Sequence, residues 1–139
     1  MATKMEFSVS ARRVDVTGSV ATCKEATLSL DTALAGRRDA FNPAELLLAA
    51  LSACMIKGIE RVAPMLKFSF RSVEVDVCGV RQDAPPRIER IEYTIRVDTD
   101  EPERRLELLH DNVRKFGTVF NTVAPGTELS GVLVRAAGG

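Results

Sequence analysis

Three cysteines and one histidine are the side chains of this 139-residue chain best suited to nucleophilic, redox or metal chemistry. Cys54 lies in an apolar run of helix-forming residues, whereas Cys23 and Cys78 stand alone, and no Cys-x-x-Cys spacing occurs. A lone histidine, His110, argues against a Cys/His zinc site and removes most Ser-His-Asp schemes, so no metal or other cofactor is expected. Thiol chemistry remains. A cysteine that attacks peroxide must be a thiolate, stabilised by a cation or a helix N-terminus, and must be open to its substrate.

Cys54 is the best candidate, although it falls about three turns into its helix, beyond the reach of the helix dipole. Helical spacing puts Leu47, Ala50, Leu51, Lys57 and Arg61 on or near its face. Lys57 is therefore a candidate cation, as is an arginine brought from elsewhere: Arg12, Arg13, Arg37 or Arg38. The competing reading makes Cys54 a small buried apolar residue between helices, a common fate of a free cysteine. Cys78 alternates with Glu74 and Asp76 along a strand and is expected to be inert; Cys23 is expected in a turn. His110 is expected to be packed or partly exposed.

The helix that must carry Cys54 has a strong start signal. Asn42 suits the N-cap, Pro43 the first helical position, and Glu45 completes a capping box. Glu45 lies roughly 13 Å from Cys54 along the axis, at the standard rise per residue, so capping is its better reading. The helix is expected to run to about Val62, before Pro64. Its middle turns are apolar nearly all round, which predicts burial on every side, and a chain this small needs a partner subunit to supply the cover.

Ahead of it, short alternating runs at Phe7–Ala11, Val14–Val16 and Ala26–Leu30 read as strands, followed by a loop over Asp31–Ala40. Behind it, alternation of Val73, Val75 and Val77 and of Ile91, Tyr93, Ile95 and Val97 predicts a long hairpin turning at Asp83–Pro86 with one solvated face. A second helix over about Glu103–Phe116, a break at Gly117-Thr118, a helical turn to Thr122 and a strand over about Thr127–Arg135 complete a single α+β domain.

Nineteen basic and nineteen acidic residues leave a formal net charge of zero, which argues against nucleic acid or an anionic membrane as partner. The apolar run Leu46–Ile56 is far short of the ~20 residues of a membrane span. Met1–Phe7 lacks the pattern of an export signal, so a cytoplasmic setting with reduced thiols is expected.

The segment Asn42-Pro43-Ala44-Glu45-Leu46-Leu47-Leu48-Ala49-Ala50-Leu51-Ser52-Ala53-Cys54-Met55 resembles the hallmark of the OsmC/Ohr family of osmotically induced and organic hydroperoxide resistance proteins. The order of elements is similar from about residue 5 to 136. The resemblance implies an intertwined homodimer with antiparallel sheets around a buried central cysteine-bearing helix, and active sites at the subunit boundary. It also implies thiol-dependent reduction of organic hydroperoxides. Active relatives carry a second cysteine in a Cys-Pro-Val-Ser-Asn-Thr-like segment; here that stretch reads Gly117-Thr118-Val119-Phe120-Asn121-Thr122. They also carry a glutamate where this chain has Ala44, while Glu45 matches a more widespread one.

These readings lead to a one-cysteine peroxidase in which Cys54 attacks the peroxide and an external thiol regenerates it. Lys57, Arg37 or Arg38 would stabilise the thiolate, and Leu51, Phe120 and Asn121 would line the pocket for an organic peroxide. Two alternatives share the fold: a non-catalytic dimer that binds a small apolar ligand, and a thiol sensor.

Overall fold

The structure, a computed structural model, describes residues 4–137. Met1–Thr3, the beginning of the segment read above for an export signal, lie outside them, as do the last two residues. The chain is an α+β protein that divides into two compact units, residues 1–46 and 47–139.

The N-terminal unit is an antiparallel sheet of β1 (Ser10–Asp15), β2 (Gly18–Cys23) and β3 (Ala26–Leu30), in that spatial order. Strand β2 departs from the sequence reading, which placed its second strand at Val14–Val16. Those residues end β1 and enter the turn, where the Asp15 carboxylate accepts hydrogen bonds from the Thr17 amide (2.8 Å) and hydroxyl (2.5 Å). The same bonds hold the Asp15 carboxyl below its ordinary pKa. The small, weakly alternating residues of β2, Gly-Ser-Val-Ala-Thr-Cys, gave the period-2 signal little to work with. The loop after β3 is organised by buried Asp31, which accepts the amides of Ala33 (3.2 Å) and Arg37 (3.0 Å).

Helix α1 (Pro43–Leu66) begins as expected. The Asn42 amide donates to Glu45 Oε1 at 2.9 Å and the Glu45 amide to Asn42 Oδ1 at 2.8 Å, a reciprocal capping box. Its other end lies four residues beyond Val62, and Pro64 sits within the last turn. There the chain closes by a left-handed residue, Lys67 (φ 53°), with Phe68 N–H donating to Ala63 O (2.8 Å) and Lys67 N–H to Pro64 O (3.3 Å). Burial of Val62, Ala63 and Phe68 holds this turn despite the amide that Pro64 lacks. Arg105 donates to the Leu66 and Lys67 carbonyls and satisfies two of the open acceptors at the helix end.

The rest of the C-terminal unit is a three-stranded sheet in the order β4 (Ser72–Asp83), β5 (Pro86–Asp98), β6 (Glu128–Arg135), with α2 (Glu103–Phe116) and α3 (Thr118–Val123) between β5 and β6. The hairpin is antiparallel, but β6 runs parallel to β5, so this sheet is mixed rather than antiparallel throughout. The two helices after β5 form the crossover that a parallel pairing requires.

One core fills this unit. It joins Leu51, Met55, Ile59 and Val62 of α1, Ile91, Tyr93, Ile95 and Val97 of β5, and Leu106, Leu109 and Val113 of α2. Within this chain α1 buries a single stripe, not its whole circumference: Leu47, Ile56 and Met65 remain 39, 38 and 71% exposed. No helix among the described residues is long and apolar enough to cross a membrane.

Candidate functional site

Cys54 lies on the face of α1 that meets the end of α2. One turn further along α1, buried Gly58 faces α2: a Cβ there would stand 3.6 Å from Val113 Cγ1, an ordinary contact. The pairing of Gly58 with Val113 and of Cys54 with Gly117 shows that the two helices run past each other in opposite directions.

At Gly117 the contact with the thiol is direct. A Cβ at that position would lie 3.1 Å from Cys54 Sγ, 3.0 Å from Phe120 Cβ and 3.2 Å from Val113 O. The backbone of Gly117 is ordinary (φ −78°, ψ 119°), so no left-handed conformation demands glycine there. Its missing side chain leaves the half-buried sulfur facing the α2–α3 junction. Here the sequence comparison of Gly117 with a second cysteine meets the geometry: the two positions are neighbours in space although 63 residues apart in sequence.

Within the same unit, Cys78 does not share this site. Gly79 faces α1, where a Cβ would meet Leu48 at 3.3 Å, so its neighbour Cys78 projects from the opposite, solvated face of the hairpin. Cys78 is exposed and pairs across the ladder with Glu92. Cys23 ends β2 in the N-terminal unit, immediately before a turn at left-handed Lys24. All three cysteines are free thiols. Among the described residues no three His, Cys, Asp or Glu side chains converge as metal ligands would.

The remaining sequence candidates take varied places. Lys57 is exposed on α1, one turn after Cys54. In the N-terminal unit Arg37 reaches Thr17 O and forms a two-pronged ion pair with Asp39 (2.8 Å for both bonds), and the Asp39 carboxylate raises its pKa above the ordinary value; Arg38 is exposed. Leu51 has no exposed surface and belongs to the core, so within this chain it offers nothing to a pocket. Asn121 donates from Nδ2 to Lys115 O at 3.1 Å and ties α3 to the end of α2.

Phe120 is 7% exposed and belongs to an aromatic group that the sequence reading did not assemble. Its ring meets Tyr93 edge-on, with centroids 6.2 Å apart and planes at 81°. The hydroxyl of Tyr93, the chain's only tyrosine, hydrogen-bonds His110 Nε2 at 2.6 Å. Burial raises the Tyr93 pKa and lowers that of His110, the latter helped by the Arg114 guanidinium. Both shifts favour the neutral rings, and the imidazole tautomer sets which of the two donates in this bond. Tyr93 lies over Gly131 of β6, where a Cβ would come within 2.4 Å of the ring. A glycine inside a strand was the available signal for this close approach.

Comparison with known proteins bears on the fold and the family. The profile of the OsmC-like protein family matches residues 36–130. No curated protein matches the sequence significantly. An OsmC-like protein from Mycoplasma pneumoniae superposes with a TM-score of 0.87 at 17% identity, over 97% of this chain and all of the other. An organic hydroperoxide resistance protein OsmC from Legionella pneumophila gives 0.71 at 19% identity, over 96% and 100% of the two chains. The organic hydroperoxide resistance protein OhrB of Bacillus subtilis gives 0.70 at 16%, over 93% and 98%. At these identities the structures speak for the fold alone. The profile covers well over half of the chain, including Cys54 and Gly117, and on that footing the chain belongs to the OsmC-like protein family.

Proposed function

We propose that this protein is a one-cysteine, thiol-dependent reductase of organic hydroperoxides that works as a homodimer. The observation that carries the reading is the meeting of Cys54 Sγ with the Gly117 backbone, the position of the second cysteine in active relatives. On this reading the thiol that would resolve Cys54 within the chain is replaced by Gly117. In the proposed reaction the Cys54 thiolate attacks the distal oxygen of ROOH. The O–O bond breaks, the alkoxide takes a proton and leaves as ROH, and Cys54 becomes a sulfenic acid. One external thiol condenses with it, releasing water and forming a mixed disulfide; a second attacks that disulfide and restores the Cys54 thiol. Cys78, on the far face of its sheet, is no candidate for the resolving role within one chain.

The dimer is supported by what each chain leaves uncovered. Among the described residues of the N-terminal unit the only buried positions are Gly18, Ser19 and Asp31, and no apolar side chain is buried there. Phe7, Val9, Val14 and Val16 are all more than half exposed, as is Met65 of α1. A three-stranded sheet is independently stable only with an apolar face covered, and a second copy is the cover proposed. The apolar cover would favour organic peroxides over hydrogen peroxide. Lys57, Arg37 and Arg38 are the proposed sources of positive charge toward the thiolate.

Dimedone trapping with residue-resolved mass spectrometry tests the reading. Cumene hydroperoxide is expected to label Cys54 at equimolar dose, ahead of Cys23 and Cys78 and ahead of the same dose of hydrogen peroxide. Labelling spread evenly over the three cysteines would end the proposal. Light scattering is expected to return twice the 15.1 kDa chain mass, and a monomer would remove the proposed cover.

A further inference from the structure

We propose that the Tyr93–His110 pair is a positioning element for the Cys54 thiol, acting through Phe120 and responsive to the protonation of His110. The inference rests on the reading of Cys54 as the reactive thiol and adds a regulation of that site. A chain of neighbours, all within the C-terminal unit, runs from the imidazole to the sulfur. His110 Nε2 holds the Tyr93 hydroxyl at 2.6 Å. The Tyr93 ring, 4% exposed and pinned against Gly131, meets Phe120 edge-on. Phe120 Cβ and Cys54 Sγ flank the same gap, lying 3.0 and 3.1 Å from where a Cβ of Gly117 would stand. Phe120 is therefore one wall of the thiol's surroundings, and Tyr93 is what that wall leans on.

The pair has two states with different consequences. With its ring proton on Nδ1, neutral His110 accepts a hydrogen bond at Nε2 from the Tyr93 hydroxyl, and that buried group is satisfied. An imidazolium has no acceptor nitrogen, so the same contact requires the hydroxyl to reverse or the ring to move out. His110 is only half-buried, at the edge of the unit, and as a cation it gains by moving toward water. Tyr93 is then left with an unpaired buried hydroxyl and shifts, and Phe120 shifts with it.

The charged and titratable groups around the imidazole are few. Arg114 and Asp111 act on it from its own helix, the first favouring the neutral form and the second opposing it. Tyr93 faces it from β5, while α3 contains no titratable side chain, and β6 has only Glu128 and Arg135, at its two ends. From α1, which packs against α2, come Lys57, Glu60 and Arg61 beside Cys54 itself. Of all these groups the imidazole is the one whose ordinary titration lies just below neutrality.

The test uses the intact reduced protein and 4,4′-dithiodipyridine, an aryl disulfide that stays reactive in acid, with the rate at Cys54 followed by mass spectrometry. Below pH 6.5 the rate per thiolate is expected to rise roughly fivefold as the wall loosens, the equilibrium weight of one net hydrogen bond. The step is expected to vanish in His110→Gln, whose neutral amide keeps a hydrogen bond to Tyr93. In Tyr93→Phe, which keeps the ring and loses the hydroxyl, Cys54 is expected to show the fast acid rate already at pH 7. A flat wild-type profile, a step that survives in His110→Gln, or a Tyr93→Phe profile equal to wild type would each overturn the proposal. No peroxide enters the assay, so its failure is separate from failure of the peroxidase reading.

Discussion

Gly117→Cys places a second thiol directly against Cys54, in a position where its Cβ is crowded by Phe120 and Val113. The Cβ would stand 3.1 Å from Cys54 Sγ. Two sulfurs bonded at about 2.05 Å set each Cβ roughly 3 Å from the far sulfur, so a disulfide needs no approach of the helices. The backbone at Gly117 is one any residue adopts. Closing the loop over residues 54–117 removes chain entropy worth ~4 kcal/mol in the unfolded state. Crowding by Phe120 Cβ at 3.0 Å and Val113 O at 3.2 Å offsets part of it. A net gain of roughly 2 kcal/mol for the oxidised over the reduced variant corresponds to about 8 °C in Tm. The assay is a pair of melting curves, with and without reductant, beside a non-reducing peptide map that seeks the Cys54 peptide cross-linked to the introduced thiol. Gly117→Ser separates crowding from bond formation and is expected to melt below wild type in both conditions. Failure of the Gly117→Cys protein to form the cross-link under mild oxidation would refute the Cys54–Gly117 geometry, on which the functional reading stands.

Gly131→Ala is expected to destabilise the fold by ~2 kcal/mol in urea unfolding, because the new methyl enters the Tyr93 ring, which His110 and Phe120 hold from other sides. Arg105→Ala is expected to cost ~1 kcal/mol and to speed amide exchange at Lys67 and Phe68, since the carbonyls of Leu66 and Lys67 lose their donor. Stability should also depend on pH through the aromatic pair. His110 is lowered from 6.5, so the unfolded chain binds more protons below that pH and stability falls as pH drops through the window beneath 6.5. Tyr93 is raised from 10.0, so the unfolded chain loses its proton first and stability falls again above pH 10. Urea midpoints across pH 5–11 should therefore show a plateau between these limits, with the acid-side fall reduced in His110→Gln.

Much of the fold was legible where one local signal controlled the outcome. The Asn42–Glu45 capping box fixed the start of α1, and strict alternation from Val73 to Val97 fixed the hairpin and its inner face. Signals failed where tertiary contacts decided. Burial of Val62, Ala63 and Phe68, with Arg105 capping from another helix, carried α1 past Pro64 against its local preference. The small residues of β2 carried no clear period, and the parallel pairing of β6 with β5 depends on the crossover between them, which side-chain alternation does not record. In the site, Cys54 was legible as a helical cysteine in a distinctive run. Its contact with Gly117 was reachable only through resemblance, since nothing local ties residues so distant in sequence. Tyr93 and Gly131 were missed as partners because a lone tyrosine in a strand and a lone glycine report a close approach without saying to what.

The most direct test of the central claim is the second-order rate at Cys54 on rapid mixing of reduced protein with cumene hydroperoxide, against free cysteine at the same pH and against hydrogen peroxide. The expected result is loss of the Cys54 thiol at least about a hundredfold faster than free cysteine, roughly the lower end of what a positioned proton transfer contributes, selective for the organic peroxide and absent in Cys54→Ser. A rate equal to that of free cysteine would contradict the account and leave an OsmC-like fold whose thiol no longer carries the reaction.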